Sequence, residues 1–430
     1  MNDIANYALE ALKKAGADKA AVCANKDRKD EFNVQENKFT LLRTQFNDQL
    51  TLKALVGGRK GVTVINKHDK TSVDEAVADC IALAKLGMTD EAEDIAPMEH
   101  NQKFDQTIGG YDMDGLFNRT KEYVEQVNNE FPKIMLESVT SEFTTEKWQY
   151  VNSNGAAFSN EEEYYSFSNM FMGKDGEKTT SFNHYGGPLA DLKTAFMDFG
   201  LQRQLLAESV KSLDTRTIEG KFVGKIIVAP TCEDMIWHTL LHYFLGEQVL
   251  IEGTSRWKDA LETLVANPML TMRSIPLNPA IIAGERITED GFLSRDNDFI
   301  KDGILKSFAL GLYGANKTGK PRAANTAHYN LEVAGGDTSF EAMIKSVDRG
   351  ILINRFSGAE PGTSGDVSGI AKNSFLIENG KITDALQETM ISFNITDVIK
   401  NISGISQERI CDGQSILPWC CFDGVTVSGK

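Results

Sequence analysis

Apolar residues recur at three- and four-residue intervals in several stretches of the chain, and this spacing predicts helices. The first helix is predicted over residues 3–16, ending at Gly16, and its apolar face consists of Ile4, Ala8, Leu9 and Leu12. Two capping boxes are expected to open further helices, Ser72-x-x-Glu75 and Thr338-x-x-Glu341. The same spacing predicts helices at about residues 115–129, 189–213, 231–245 and 396–402.

Compact and alternating apolar runs between these helices predict strands. After a short strand in AAVCAN, residues 30–66 predict a meander of about four antiparallel strands, with breaks at Glu36-Asn37, Asn47-Asp48 and Gly57-Gly58. The sequence Glu378-Asn379-Gly380-Lys381 is typical of a hairpin turn. Other strands are predicted between residues 134 and 185, in GKIIVAP (224–230), and at 304–313, 328–333, 350–356, 374–378 and 425–427.

Both halves of the chain mix helices with mainly antiparallel strands, which predicts the α+β class. A chain of 430 residues also exceeds the size that one hydrophobic core usually supports. We therefore predict two α+β domains, residues 1–218 and residues 219–430. The boundary falls in TRTIEGKFVG (215–224), a polar stretch with two glycines.

Composition and charge argue against several classes of function. Hydrophobic residues make up 41% and charged residues 25% of the chain, which is ordinary for a globular protein. No apolar run approaches the roughly 18 residues of a membrane helix. The net charge is 45 − 61 = −16, and an acidic surface repels nucleic acid and anionic membranes. With six scattered cysteines, no C-x-x-C pair and an N-terminus unlike a signal peptide, we expect a cytoplasmic protein with reduced thiols.

Two short motifs resemble ligand sites but lack an essential residue. Residues 314–320, GANKTGK, fit the first seven positions of a phosphate-binding loop, but Pro321 stands where a Ser or Thr would bind magnesium. We interpret this segment as a glycine-rich surface loop. Asp296, Asp298 and Asp302 suggest calcium, but Lys301 occupies the position where an EF-hand loop needs glycine, so a polar loop is expected.

The most suggestive chemistry lies in His238-Thr-Leu-Leu-His242, on the helix predicted after GKIIVAP. Two histidines four residues apart share a helical face and could bind one zinc ion, with Cys411 as a distant third ligand. A zinc protease with this histidine spacing needs Glu directly after the first His, and Thr239 stands there. The neighbouring residues are bulky and apolar, so we expect Trp237, Leu241 and Phe244 to belong to a packed core.

The sequence resembles the TldD/PmbA family, once called modulators of DNA gyrase, over essentially its whole length. The meander around GGRKG (57–61) is similar to the family's N-terminal domain. The motifs that carry the resemblance keep their order and spacing along the second half: DGIL (302–305), PRAANT (321–326), SGDVSG (364–369), FLIENGKI (375–382), TMISFN (389–394) and DGQSILP (412–418).

The resemblance implies a cytosolic metallopeptidase that cuts short or unfolded peptides, built from two homologous subunits. One subunit carries H-E-x-x-x-H on the helix that corresponds to residues 231–245, and a C-terminal cysteine completes its zinc site. The other, of the PmbA or TldE type, lacks these ligands.

This chain departs from the zinc-binding pattern in either possible register. If His242 is the second histidine, Trp237 replaces the first and His238 replaces the glutamate. If His238 is the first, Thr239 replaces the glutamate and Tyr243 the second histidine. Cys411 lies near the family's cysteine but lacks the usual following glycine. The departure favours no catalytic, cofactor-binding or metal site in this chain, with zinc expected in a homologous TldD-like partner.

Two alternatives remain open at this point. One is a self-sufficient metallopeptidase with an unusual site near His238, His242 and Cys411. The other is a non-catalytic interaction protein that binds a gyrase regulator. The expected partners are a homologous TldD-like subunit, in a homo- or hetero-oligomer, and short or unfolded peptides, without direct contact with nucleic acid or membrane.

Overall fold

The computed structural model describes residues 2–359 and 361–429, without the side chains of residues 2, 233 and 234. Its α-helices are α1 (Asn2–Lys14), α2 (Lys70–Leu86), α3 (Met113–Glu130), α4 (Gln202–Lys211), α5 (Trp237–Leu240), α6 (Glu247–Ile251), α7 (Leu312–Thr318), α8 (Phe340–Lys345) and α9 (Ile395–Val398). Short 3-10 turns lie at Phe196–Asp198, Pro230–Met235 and Gly362–Ser364, and a π-helical turn at Leu241–Leu245.

The strands fall into two groups along the chain. The N-terminal group is β1 (Lys19–Gln35), β2 (Lys38–Val56), β3 (Arg59–Ile65), β4 (Gln102–Gln106), β5 (Ile134–Asn152), β6 (Ala157–Asp175), β7 (Lys178–Thr179) and β8 (Asn183–Leu189). The C-terminal group is β9 (Thr215–Arg216), β10 (Lys221–Val228), β11 (Met272–Ser274), β12 (Asn297–Lys301), β13 (Ile304–Leu305), β14 (Leu331–Val333), β15 (Arg349–Gly358), β16 (Asp366–Glu378), β17 (Lys381–Leu386), β18 (Thr389–Asn394), β19 (Ile402–Cys411) and β20 (Ile416–Ser428).

The N-terminal strands form one long sheet in the order β3-β2-β1-β5-β6-β4, with β7 and β8 also paired to β6. One face packs against helices at two places along β1. Val22 and Ala24 belong to a core cluster with α1 and α2, while Phe32 and Val34 pack with α3. Because side chains alternate between faces, these even-numbered residues share a face. The segment of this face between the two helical layers stays open.

The C-terminal strands form a sheet that closes on itself. Strand β10 pairs with β15 and β20, β15 pairs with β16, and β18 joins β16 to β20, so five strands make a small barrel. Strands β14, β11, β12 and β13 extend the sheet beyond β20. The largest core cluster fills this half and includes Trp237 and Phe244. The α+β class is confirmed, while the domain boundary at residues 218/219 stays a prediction.

The predicted meander is partly wrong. Residues 30–66 lie in three strands, because β2 continues without a break through Asn47-Asp48. The side chains of Asn47 and Asp48 contact side chains of the neighbouring strand β1, and no turn forms there. Asn47 donates a hydrogen bond to Asp27 (3.0 Å), and Asp48 forms an ion pair with Lys26 (3.6 Å). Turn-forming residues do not break a strand when the neighbouring strand satisfies their side chains.

Three helix predictions also need correction. Helix α2 begins at Lys70, and its cap is Asp69, whose carboxylate accepts the N–H of Ser72 (3.0 Å). In α8 the cap is Ser339 rather than Thr338. The helix predicted over 189–213 is a 3-10 turn and then α4, because Gly200 adopts a left-handed conformation (φ 48°) between them.

In the second half of the chain, two predictions are wrong and one is confirmed. Residues 314–318, predicted as loop, belong to α7, which ends at left-handed Gly319, and the strand predicted over 304–313 is limited to β13. The hairpin at 378–381 is confirmed, with Asn379 and Gly380 both at positive φ between β16 and β17. No helix in the described part of the chain is both long enough and apolar enough to cross a membrane.

Candidate functional site

The helical segment after β10 has one face in the core. A 3-10 turn follows Pro230 and leads into α5, and the final turn, Leu241–Leu245, is π-helical. Trp237, Leu241 and Phe244 are all buried, as predicted from the sequence. Trp237 packs against Phe422 and Phe244 against Trp257, with ring centroids 6.3 and 5.0 Å apart. The barrel core therefore fixes the orientation of the whole segment.

The opposite face of this segment lines a cleft of about 690 Å³. Its helical wall contains His238, Thr239, His242 and Tyr243. The facing wall is formed by residues 355–359 at the end of β15, and His184 of β8 contributes from the N-terminal half. The cleft thus collects three histidines that are far apart in sequence.

The geometry distinguishes the two registers in which this helix can be compared with H-E-x-x-x-H. His238, Thr239 and Tyr243 all line the cleft, whereas Trp237, which the other register places at a ligand position, lies in the core. A π-helical turn brings residues five apart nearer to one face than an α-helical turn does. The register that begins at His238 therefore fits, with Thr239 at the position of the glutamate and Tyr243 at that of the second histidine.

The donor atoms around the cleft do not fit a zinc centre of the kind that the resemblance implies. Among the side chains that the structure describes, no group of three or more His, Cys, Asp or Glu residues is arranged to hold a metal ion. Cys411 lies outside the cleft, and its thiol donates to the carbonyl oxygen of Ala280 (3.6 Å). Although Cys411 is exposed, partial desolvation of its thiol raises the pKa of this group, which disfavours the thiolate that zinc binds.

Strand β15 presents its edge, and not one of its two faces, to the cleft. Consecutive residues from Arg355 to Ala359 all line the cleft, although alternate side chains of a strand point to opposite faces. Pairing with β10 ends at Ile353, whereas pairing with β16 on the other side continues to Gly358. Within the described part of the chain, no strand pairs with the cleft side of residues 355–358. We call this stretch the free edge of β15.

Three hydrogen bonds, two of them partly buried, hold β15 where its free edge begins. The carbonyl oxygen of Asn354 accepts from the hydroxyl of Thr231 (2.9 Å). The side-chain amide of Asn354 donates to the carboxylate of Glu208 on α4 (2.7 Å). Arg355 then donates to the carbonyl oxygen of Phe182, just before β8. These contacts join the free edge to both halves of the chain, so the wall of the cleft is firmly positioned.

The face of the N-terminal sheet opposite the helices carries a row of acidic side chains, of which Glu162 is buried. Asp27, Glu146 and Glu162 lie directly opposite one another on β1, β5 and β6. Burial, reinforced by the charge of Glu146, raises the pKa of Glu162 to about 7. Burial and the charge of Asp27 likewise raise the pKa of Glu146. Such rows were not predicted from the sequence, because they depend on the register of three strands that are distant in sequence.

The sequence and the fold of this chain are similar to those of several known proteins. Residues 220–429 match the family model described as the PmbA/TldA metallopeptidase C-terminal domain. A metalloprotease of Methanocaldococcus jannaschii is 20% identical over 97% of this chain and 95% of its own length. Metalloprotease PmbA of Escherichia coli O157:H7 is 29% identical over 35% of this chain and 34% of its own. The crystal structure of TldE from Thermococcus kodakarensis superposes with a TM-score of 0.86 at 17% identity, covering 99% of this chain and all (100%) of that one.

Residues 220–429 thus match the C-terminal domain of the PmbA/TldD metallopeptidase family, and the chain is similar to a PmbA metalloprotease and, in fold, to TldE. The family model covers the barrel and the helix that lines the cleft, and the long structural match extends the fold to the N-terminal sheet. His184, Arg355 and the free edge of β15 were missed in the sequence. They carry no local motif, and only the tertiary structure brings them to the helix.

Proposed function

We propose that this chain is the metal-free, PmbA/TldE-like partner subunit of a cytosolic TldD-type zinc metallopeptidase that acts on short or unfolded peptides. Its role is to bind the peptide backbone and to complete a shared chamber. Zinc and the general base come from the homologous subunit. Maturation of small peptides, including gyrase-targeting toxins, is the class of reaction that such a complex would serve.

The observation that carries this proposal is the composition of the two cleft walls. The helical wall has a threonine and a tyrosine where hydrolysis would need a carboxylate base and an imidazole ligand. Neither a hydroxyl nor a phenol accepts a proton from water efficiently near neutral pH. The other wall keeps a strand edge whose backbone groups can still bind a peptide.

Strand addition at the free edge of β15 explains binding without side-chain selectivity. An extended peptide pairs its own N–H and C=O groups with those of residues 355–358, as a further strand would. Backbone pairing is the same for most side chains. A site of this kind accepts many sequences, provided that the peptide is unfolded and narrow enough for the cleft.

The proposal is tested by mixing subunits. An unfolded peptide is incubated with this chain, with a TldD-like homologue that carries H-E-x-x-x-H, and with both. We expect cleavage only in the mixture, or much faster cleavage there, and its loss when a chelator removes zinc. Chelator-resistant cleavage by this chain alone would instead support the self-sufficient enzyme. Failure of the homologue to associate or respond would leave the interaction-protein hypothesis.

Strand addition has its own test, with a matched pair of ligands. Two isomeric peptides are N-methylated at alternate residues, so that one lacks the amides facing the protein and the other lacks those facing away. We expect the two isomers to differ in affinity for this chain by at least about tenfold, which is about 1.4 kcal/mol. Equal affinities for the two isomers would contradict backbone pairing.

A further inference from the structure

The free edge of β15 is closed at one end by the chain itself. Strand β10 runs parallel to β15, and just beyond its end the N–H of Ala229 donates to the carbonyl oxygen of Ile353 (2.9 Å). Pro230 follows and cannot extend the ladder, because proline has no backbone N–H. The hydroxyl of Thr231 then donates to the carbonyl oxygen of Asn354 (2.9 Å). An added strand can therefore pair with β15 only beyond Asn354.

A peptide on the free edge consequently has one of its ends next to Thr231. It lies in line with β10, in the space that becomes available where the chain leaves the sheet and enters the helical segment after Pro230. If the peptide runs antiparallel to β15, this end is its carboxyl terminus, and if it runs parallel, this end is its amino terminus. The two terminal groups have opposite charges, so the charge of the surrounding side chains distinguishes the two directions.

The charged side chains at this closed end are cationic. Arg355 is the first residue of the free edge, and its guanidinium donates to the carbonyl oxygen of Phe182. This contact brings the guanidinium beside the segment from which His184 lines the cleft. His242 adds an imidazole from the helical wall. None of the described residues that line the cleft is an aspartate or a glutamate.

The guanidinium of Arg355 has donors left for a ligand. Two other arginines of the C-terminal half bind carboxylates, Arg322 that of Asp290 and Arg409 that of Glu332, each at 2.6 Å. Among the described residues, Arg355 instead contacts a carbonyl oxygen and no carboxylate. One carbonyl oxygen uses only part of the donor capacity of a guanidinium. The remaining N–H groups can bind a carboxylate in the two-pronged geometry that arginine favours.

We propose that the cleft binds the carboxyl-terminal end of a peptide, which runs antiparallel to β15 and places its terminal carboxylate on Arg355, beside His184. The ligand class is a short linear peptide with a free α-carboxylate. This inference rests on the proposed function, because it takes strand addition at the free edge of β15 and specifies the direction and the end of the bound peptide. Antiparallel pairing is also slightly more stable per residue than parallel pairing.

The position of the nearest acidic group agrees with this direction. Asp412 lines a smaller cavity of about 250 Å³, which shares only His184 and Thr231 with the cleft. The carboxylate of Asp412 accepts the backbone N–H groups of Gln414 (2.9 Å) and Ser415 (2.7 Å), so its own loop already binds it. An amino terminus in the cleft would therefore meet Arg355 rather than this carboxylate.

The test compares the terminal groups of one peptide, bound to the purified full-length chain alone. A short unfolded peptide is prepared as the free acid, as the carboxyl-terminal amide and as the N-acetylated acid, and calorimetry measures each dissociation constant. We expect the free acid to bind at least about tenfold more tightly than the amide, whereas N-acetylation should change the affinity little. Equal affinities of acid and amide, or a preference for the amide, would overturn the inference while strand addition stands. No binding of any form would overturn both.

Variants of Arg355 test the residue that we assign to the carboxylate. Arg355→Gln loses the charge but can still donate to Phe182, and it should bind acid and amide with similar affinity. Arg355→Lys should keep part of the preference for the acid. Arg349→Gln is the matched control, because Arg349 lies on β15 at its other end, over the ring of Phe222 (4.3 Å), and it should keep the full preference.

The ratio of the two affinities is measured within each variant, so a general loss of stability does not imitate the expected result. Circular dichroism establishes that each variant remains folded. An undiminished preference for the acid in Arg355→Gln would contradict the assignment of the carboxylate to this arginine, and so would an equal loss of preference in Arg349→Gln.

Discussion

The two faces of the helical segment 237–245 differ in their contacts and in the chemistry of their side chains. One face, with Trp237 and Phe244, is fixed in the barrel core by apolar packing. The other, with His238 and Tyr243, lines a cleft and carries polar groups of mixed chemistry. The core face holds the helix in position, whereas the cleft face carries Thr239 and Tyr243 beside its histidines. The apolar packing that fixes a helix and the polar groups that the helix presents are therefore separate properties of one segment.

The largest expected effect is on the core face. Phe244→Ala leaves a cavity in the barrel core, because Phe244 is completely buried, and such changes cost about 3–5 kcal/mol. His242→Ala, two residues earlier on the exposed side, is the matched control and should change stability little. Urea unfolding measures both variants. Equal losses of stability in Phe244→Ala and His242→Ala would mean that the two faces of the helix are equally buried. An unfolding curve unchanged by Phe244→Ala would mean that Phe244 lies outside the core.

Hydrophobic spacing was sufficient to predict this core face but not the cleft. Trp237, Leu241 and Phe244 follow the helical spacing of apolar residues. This spacing is a local property of the sequence and does not depend on how distant segments fold. His184 and Arg355 reach the cleft from strands elsewhere in the chain, and strand register cannot be read from single residues. The same limitation explains the missed continuity of β2, where Asp27 and Lys26 on the neighbouring strand support Asn47 and Asp48.

A second, smaller effect is expected where the cleft wall is anchored. Asn354→Ala removes one of two donors to the half-buried carboxylate of Glu208, the other being Gln204, and the loss of one such hydrogen bond costs about 1 kcal/mol. Asn128→Ala, at an exposed position of α3, is the control and should have little effect. Thermal unfolding compares the two. If Asn354→Ala is as mild as its control, the free edge of β15 is not held by this contact.

A further effect depends on pH. Glu162 has a pKa raised from 4.5 to about 7, so the folded chain keeps this proton between those values while the unfolded chain has lost it. The contribution of this group to folding stability therefore falls as pH rises from about 4.5 to 7. Glu162→Gln stays neutral throughout. It should be more stable relative to wild type at pH 8 than at pH 4.5.

The control for the pH effect is Glu161→Gln, whose side chain instead forms an ion pair with Lys147 (2.9 Å) on the other face of the sheet. Its difference from wild type should not grow with pH in the same way. Melting temperatures at several pH values measure both. A pH-independent difference for Glu162→Gln would show that Glu162 does not keep its proton in the folded chain over this pH range.

The most direct test of the central claim is the zinc content of the purified chain, measured by elemental analysis after expression in zinc-containing medium. We expect much less than stoichiometric zinc, with no change in His238→Ala, because Thr239 and Tyr243 stand at the positions of the base and second ligand. The TldD-like homologue, prepared in the same way, should contain zinc. About one zinc ion per chain, lost on His238→Ala, would contradict the account and assign catalysis to this subunit.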